Sequence, residues 1–137
     1  MADLFEDLVY TEQDIISFQN GIPGFEQYRK WVVVKVPEFE PFEWLVNVET
    51  RKLRFALINP MLFMPTYNPR IDKSQVQDLG LEKPEDVLLY AIVTLSKDPA
   101  QTTANLLGPV FINRTKRLGK QVILDDDRYS VKERILK

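Results

Sequence analysis

The chain has 137 residues and a net charge of −2, with 45% hydrophobic and 28% charged residues. These values are typical of a single globular domain with its own core. Because the chain contains no cysteine and no histidine, disulfides, thiolate metal sites, Ser-His-Asp hydrolases and Cys-His proteases are excluded. The acidic N-terminus and the lack of a long apolar run predict no signal peptide and no membrane span, so we expect a cytoplasmic protein.

Short segments rich in β-branched and aromatic residues predict strands in the first half of the chain. They are residues 14–18, 31–36, 42–49 and 53–59. The second segment is continuously apolar enough to be buried on both faces, whereas the last two alternate. A four-residue turn at 49–52 would set their register. The predicted cross-strand pairs are Val48 with Leu53, Val46 with Phe55, and Trp44 with Leu57.

The second half of the chain holds the one helix candidate, over residues 71–81. Asp72 could cap its start and Gly80 could end it, while Val76 and Leu79 would share a face. Further strands are predicted at 87–95, 103–107, 109–113 and 120–125. A basic turn at 114–119 separates the last two of these strands. We expect the charged segment 126–137 to form a terminal helix or a frayed tail.

The predicted connections are too short for repeated β-α-β crossovers, so the sheet should be antiparallel. Adjacent antiparallel strands avoid exposed edges by closing into a barrel or packing as a sandwich. We therefore predict an all-β, mainly antiparallel, barrel-like single domain over residues 1–137, with one short helix.

Two charged clusters have alternative interpretations. The three carboxylates at 125–127 could hold a hard cation, but adjacent strand residues point to opposite sides, which favours a solvated turn. The basic turn could bind single-stranded nucleic acid, but it lacks aromatic residues for base stacking, which favours a solvated hairpin tip. The basic residues concerned are Arg114, Lys116, Arg117 and Lys120.

Two further segments could bind a protein. The loop 59–65 places Met61, Leu62, Phe63 and Met64 between prolines, and it could be an adaptable apolar patch or a plug for one end of the barrel. Glu38, Glu40 and Glu43 alternate with apolar residues at 39–42. That segment could be an acidic rim for a basic partner or an ordinary solvated face.

Four motifs in order resemble the FliW family over residues 8–125. They are FQNGIPGFE at 18–26, FALINP at 55–60, TANLLGPVFIN at 103–113 and GKQVIL at 119–124. Asn59 stands where many relatives carry Asp. The signature residues, which we expect mainly to shape the fold, are Gly21, Pro23, Gly24, Phe25, Asn59, Pro60, Thr103, Asn105, Pro109, Asn113, Gly119 and Gln121. We expect Asn105 and Asn113 to satisfy backbone groups at strand ends.

The resemblance implies an antiparallel barrel and a regulatory role without catalysis or a cofactor. Proteins of this family bind flagellin in the cytoplasm and also bind CsrA, an RNA-binding repressor of flagellin synthesis. The free factor relieves repression, and unsecreted flagellin captures the factor and restores it. The implied partners are these two proteins, with no direct nucleic acid, no membrane and no small-molecule substrate, and we expect a monomer.

Contact residues are predicted on two surfaces. We expect the apolar residues Met61, Leu62, Phe63, Met64 and Tyr67 to receive flagellin, since an apolar groove suits an amphipathic helix. We expect Glu38, Glu40 and Glu43 to face the basic surface of CsrA.

The alternative function is a small β-barrel that binds nucleic acid or a ligand such as a flavin or a cyclic dinucleotide. A cyclic-dinucleotide site would need two arginines four residues apart, whereas Arg51 and Arg54 are three apart.

Overall fold

The computed structural model describes residue 5 and residues 7–136. Within that part of the chain there are nine strands and one short α-helix. In chain order they are β1 Ile16–Ser17, β2 Lys30–Lys35, β3 Glu43–Asn47, β4 Arg54–Ile58, α1 Lys73–Val76, β5 Val87–Thr94, β6 Thr103–Ala104, β7 Val110–Asn113, β8 Leu118–Gln121 and β9 Glu133–Arg134.

Seven of the strands close into a barrel. Their order is β4-β3-β2-β1-β8-β7-β5, and β5 returns to pair with β4. All of these pairs are antiparallel except β1 with β8, which is parallel at Ser17 and Leu118. The remaining strands extend the sheet, with β6 on β5 and β9 on β6. The prediction of an all-β, mainly antiparallel barrel with one short helix is therefore confirmed.

The wall formed by β2 and β3 is buried on both faces. Inside the barrel, Trp31 and Leu45 belong to the central core. On the outer face, Val32 and Val46 are covered by Phe5 of the N-terminal segment. Leu45 and Val46 are both fully buried. Because neighbouring residues of a strand point to opposite faces, both faces of β3 are covered. The two-sided burial predicted for residues 31–36 is confirmed for Trp31 and Val32.

The predicted register of the β3–β4 hairpin is wrong by one residue. The structure pairs Val46 with Arg54, Leu45 with Phe55, and Trp44 with Ala56. The cause is Asn47, whose Oδ1 accepts hydrogen bonds from the Glu49 and Thr50 N–H groups at 3.0 and 2.9 Å. This side-chain turn lengthens the loop to residues 48–52, which shifts every pair of the hairpin.

The short helix has the predicted ends. The Asp72 N–H donates to Gln75 Oε1 at 2.9 Å, and α1 continues as a 3₁₀ turn at Gln77–Leu79. Gly80 then stops the helix in the left-handed region, at φ +63°. Val76 and Leu79 pack in one cluster, as predicted. Among the described residues, no helix is long and apolar enough to cross a membrane.

Segment 126–136 is neither a helix nor a frayed tail. It turns at Asp126–Tyr129 and then forms β9. Directly after β9, the Ile135 N–H donates to the Thr102 carbonyl at 3.2 Å. The cause is the open edge of β6, which offers backbone partners. Two other strands differ from their predicted bounds. Strand β6 ends at residue 104, and β8 begins inside the predicted basic turn. Lys137 lies outside the described residues.

Candidate protein-binding site

The first signature motif forms a rigid turn. Gly21 and Gly24 have φ values of +68° and +87°, which glycine adopts without steric cost. A Cβ at Gly21 would lie 2.4 Å from Glu26 Cα, so no larger residue fits there. The turn holds Phe25 edge-on against Phe55, with ring centroids 5.2 Å apart. Pro23 is exposed at the tip.

The signature amides bond to the backbone. The Asn59 and Asn105 side-chain oxygens each accept an N–H two residues ahead, at 3.0 Å. Gln121 Nε2 donates to the Gly108 carbonyl at 2.9 Å. Asn113 is buried and bonds to both the 79–80 and 115–116 segments. Gly119 is packed against Phe18, Pro60 and Pro109 are buried, and Thr103 is half-buried in β6.

The predicted apolar contact residues separate into two groups. Met61 and Leu62 are exposed, with Leu62 at 61%. Phe63 and Met64 are half-buried and pack against a second core cluster that includes Ile58, Ala91 and Leu106. Tyr67 is only 3% exposed, and its hydroxyl donates to the Leu106 carbonyl at 2.7 Å. The loop therefore covers the outer face of β4 and β5 rather than an end of the barrel, with Met61 and Leu62 exposed and Tyr67 buried.

Burial also makes ionisation of Tyr67 less favourable. Desolvation by burial raises the pKa of its hydroxyl well above the usual value, with smaller contributions from Tyr129 and Asp126. The ring of Tyr129 packs edge-on against it at 4.7 Å. A contact this deep is a structural feature of the core.

The predicted acidic residues likewise separate. Glu38 and Glu40 are exposed and form no ion pair with any described residue. Glu43 is half-buried, and its carboxylate accepts a 2.8 Å hydrogen bond from the Tyr90 hydroxyl. Burial, followed by this bond to Glu43, raises the pKa of Tyr90. Glu43 therefore belongs to the barrel interior, and the acidic rim consists of Glu38 and Glu40.

An aromatic pair supports the acidic rim. The exposed Phe39 packs edge-on against Trp44, with ring centroids 5.7 Å apart. The Trp44 Nε1 is buried and has no hydrogen-bond partner in the described part of the chain. Trp44 thus lies directly behind the rim, where its environment should respond to anything bound there.

Beside the rim lies an apolar groove of about 320 Å³ that the sequence did not predict. Its walls are Pro41 and Phe42, Leu95 and Pro99, and Ile135 with Leu136. Phe42 and Ile135 pack against the same cluster as Phe63 and Met64. The available signal was the Ile135-Leu136 pair, two apolar residues within a charged terminal segment.

The charged clusters offer less than the sequence suggested. Lys120 pairs with Asp78 at 3.3 Å and Lys116 with Glu82 at 3.5 Å, which reduces the positive charge of the basic turn. Asp126 is buried and paired with Arg128 at 2.7 Å, and hydrogen bonds from Arg128 hold the pKa of this carboxyl below its usual range. In residues 5 and 7–136, no three side chains form a metal-binding group.

Comparison with known proteins gives consistent matches. The family model described as "FliW protein" matches residues 2–135. The flagellar assembly factor FliW of Alkaliphilus metalliredigens is 38% identical over 133 residues, which cover 96% of this chain and 82% of the relative. That of Geobacillus sp. WCH70 is 42% identical over 124 residues, covering 90% and 85%.

The fold agrees with the sequence matches. A crystal structure of the flagellar assembly factor FliW superposes with a TM-score of 0.89 at 39% identity. The superposition covers 95% of this chain and 91% of the other. The residues matched by the family model include the barrel, the acidic rim and every groove residue named above except Leu136.

Proposed function

Because this chain belongs to the FliW family, we propose that it is a flagellar assembly factor that binds flagellin and the translational regulator CsrA in the cytoplasm. The observation that carries the proposal is the match to FliW proteins over nearly the whole chain. In this role the protein acts by changing partners. Occupancy by one partner sets the free pool available to the other through mass action.

The acidic rim is the proposed contact for CsrA. An RNA-binding regulator presents basic surface, and Glu38 and Glu40 are exposed carboxylates without an ion pair among the described residues. Complementary charge raises the association rate and favours the correct orientation. The same carboxylates would repel an RNA phosphate backbone near the bound regulator.

The apolar groove, together with Met61 and Leu62, is the proposed contact for flagellin. Amphipathic helical segments bind through apolar residues that enter hydrophobic grooves. The groove walls are apolar, and both the groove and the 59–65 loop cover the same core cluster. Leu136 is 56% exposed at the groove and Leu62 is 61% exposed on the loop.

Calorimetric titration tests the function. Flagellin and CsrA are each titrated into the full chain, first alone and then with the other partner prebound. We expect both to bind and each to weaken the other. Mutual exclusion predicts an apparent Kd for CsrA that rises in proportion to flagellin concentration, whereas linked separate sites predict a plateau. Binding to neither protein would overturn the proposal.

Matched variants test the surface assignments. The double variant Glu38→Lys with Glu40→Lys should weaken CsrA binding more than flagellin binding, while the equally charge-altering pair Glu12→Lys and Glu85→Lys should not. All four side chains are exposed.

For flagellin, the test is Leu62→Asp. We expect about a tenfold weaker affinity, the loss from one exposed apolar anchor. Phe63 is a poor choice because it packs into the core. Val9→Asp is the control, since Val9 is even more exposed and lies outside both surfaces. Equal effects of the two substitutions would contradict the assignment.

A further inference from the structure

The barrel closes its own edges, but the sheet extension does not. Strand β9 is the last strand in the sheet order, so its outer edge pairs with no other strand in residues 5 and 7–136. An open edge presents backbone N–H and C=O groups that can pair with another chain. Two apolar residues flank it, Val131 at 54% and Leu136 at 56% exposure.

The ladder with β6 fixes which backbone groups face outward. The Ile135 N–H donates to the Thr102 carbonyl, so residues 135 and 102 form a hydrogen-bonded pair. Such pairs alternate with non-bonded pairs along an antiparallel ladder. Arg134, which lies opposite Thr103, is therefore in a non-bonded pair. Its N–H and C=O point away from β6, toward the open edge.

The two faces of this edge have different chemistry. The half-buried Glu133, which pairs with Ala104, and Ile135 lie on the side of the sheet that faces the cluster around Ile58, Ala91 and Leu106, and Ile135 packs against that cluster. Arg134 is exposed on the opposite face, and Lys132 is exposed in the turn just before β9. Neither forms an ion pair with a described residue. A strand beside β9 would place alternate side chains next to this basic face and next to the apolar side of the sheet. Ile135 and Leu136 also continue into the apolar groove.

We propose that the outer edge of β9 is a docking site for an extended protein segment in which acidic and apolar residues alternate. Backbone pairing with the edge selects an extended rather than a helical segment. Acidic side chains face Lys132 and Arg134, and apolar side chains face the Ile135 side. This surface is distinct from the acidic rim, whose charge is of the opposite sign.

Fluorescence anisotropy with synthetic peptides tests the proposal on the full chain. The first probe is a labelled peptide of about seven alternating glutamate and valine residues, a typical strand length. The second replaces each glutamate with lysine. The third has the composition of the first in a non-alternating order. We expect the alternating acidic peptide to bind at least about tenfold more tightly than either of the others.

Two perturbations separate charge from backbone pairing. Arg134→Glu should weaken the acidic peptide about tenfold, while Arg29→Glu, which changes an exposed arginine away from β9, should leave it unchanged. Two further peptides carry N-methyl groups, one on the odd-numbered and one on the even-numbered nitrogens. Only one of these two N-methylated phases should lose binding, because every second N–H of the peptide faces the edge. This test leaves the protein unaltered.

The proposal is overturned by any of three results. The acidic peptide fails to bind at about millimolar concentration, the weak limit of specific recognition. The lysine peptide binds equally well. Both N-methylated phases bind like the unmodified peptide. None of these outcomes depends on flagellin or CsrA.

Discussion

Replacing Asn113 with alanine should destabilise the barrel without altering the proposed binding surfaces. The Asn113 Nδ2 donates to the Leu79 carbonyl at 2.9 Å and to the Gly80 carbonyl at 3.3 Å. Its Oδ1 accepts from the Thr115 and Lys116 N–H groups, both at 3.0 Å. One buried side chain thus joins the end of β7, the turn before β8 and the end of the helical segment.

The size of the stability loss depends on which hydrogen-bond partners of Asn113 can bond to water instead. Thr115 and Lys116 are exposed, so water can replace part of what their N–H groups lose. Leu79 is buried, and a buried acceptor left without its partner costs about 1–3 kcal/mol. Adding the weakened turn, we expect Asn113→Ala to lower the free energy of unfolding by about 2–4 kcal/mol. A loss of that size lowers the Tm by roughly 10 °C.

The matched control is Asn59→Ala. Asn59 is exposed, and its side chain accepts one hydrogen bond, from the Met61 N–H at 3.0 Å. Losing a single exposed cap of this kind costs about 0.5–1 kcal/mol. Urea unfolding of both variants, followed by circular dichroism at 25 °C, gives the two free energies directly.

Two results would refute this reasoning. The first is a loss below about 1 kcal/mol for Asn113→Ala, the value of a single ordinary hydrogen bond. The second is an equal loss for the two variants, which would mean that burial does not decide the cost. Measured while folded, Asn113→Ala should also bind flagellin and CsrA as the unmodified chain does. Lost binding with unchanged stability would make Asn113 an interface residue.

Three other substitutions test the packing and the ionisable groups. Gly119→Ala should cost about 1–3 kcal/mol, because its Cβ would lie 2.5 Å from the buried ring of Phe18. In Gly24→Ala the new Cβ meets no atom within 4 Å, so the loss of stability should be about 1–2 kcal/mol, from backbone strain at positive φ alone. Urea unfolding compares the two variants. Burial raises the pKa of Tyr67, so the unfolded chain ionises first and stability falls above about pH 10. Tyr67→Phe should make the free energy of unfolding fall less steeply with pH, by the equivalent of one proton, as measured by urea unfolding at alkaline pH. The pKa of Asp126 is lowered by its hydrogen bonds from Arg128, so its contribution is present above about pH 4 and lost below it. Asp126→Asn should flatten the loss of stability in acid, and an unchanged acid slope would contradict this.

Local chemistry explains what the sequence could predict of the fold. Asp72 and Gly80 define the helix ends by their own hydrogen bonding and backbone conformation, so the helix was predictable from nearby residues. The hairpin register was not, because Leu45 and Val46 are both apolar and both buried. Alternation then gives no preference between two registers, and the side chain of Asn47 decides.

Long-range partners explain what the sequence could not predict. Strand β9 exists because β6 offers an edge about thirty residues earlier in the chain, and nothing in a charged terminal segment signals that pairing. The same holds for the residues of the proposed binding surfaces. Like Glu38 and Glu40, Glu43 has apolar sequence neighbours, but its carboxylate accepts a hydrogen bond from the Tyr90 hydroxyl. Tyr67 adjoins an exposed loop, but the Leu106 carbonyl holds its hydroxyl in the core.

If the two partners bind at the acidic rim and the groove as proposed, the position of the groove beside the rim favours exchange by direct exclusion. Pro41 and Phe42 line the groove, and they follow Glu40 in the chain, so two large partners at these surfaces would overlap. A relayed change of shape that moved β3 would disturb Leu45 and Val46, which are buried on opposite faces of the sheet. Shifting such a strand sacrifices packing on both faces, which close-packed cores resist. Competition at adjoining surfaces requires no such movement, and it leaves affinity and concentration alone to decide which partner is bound.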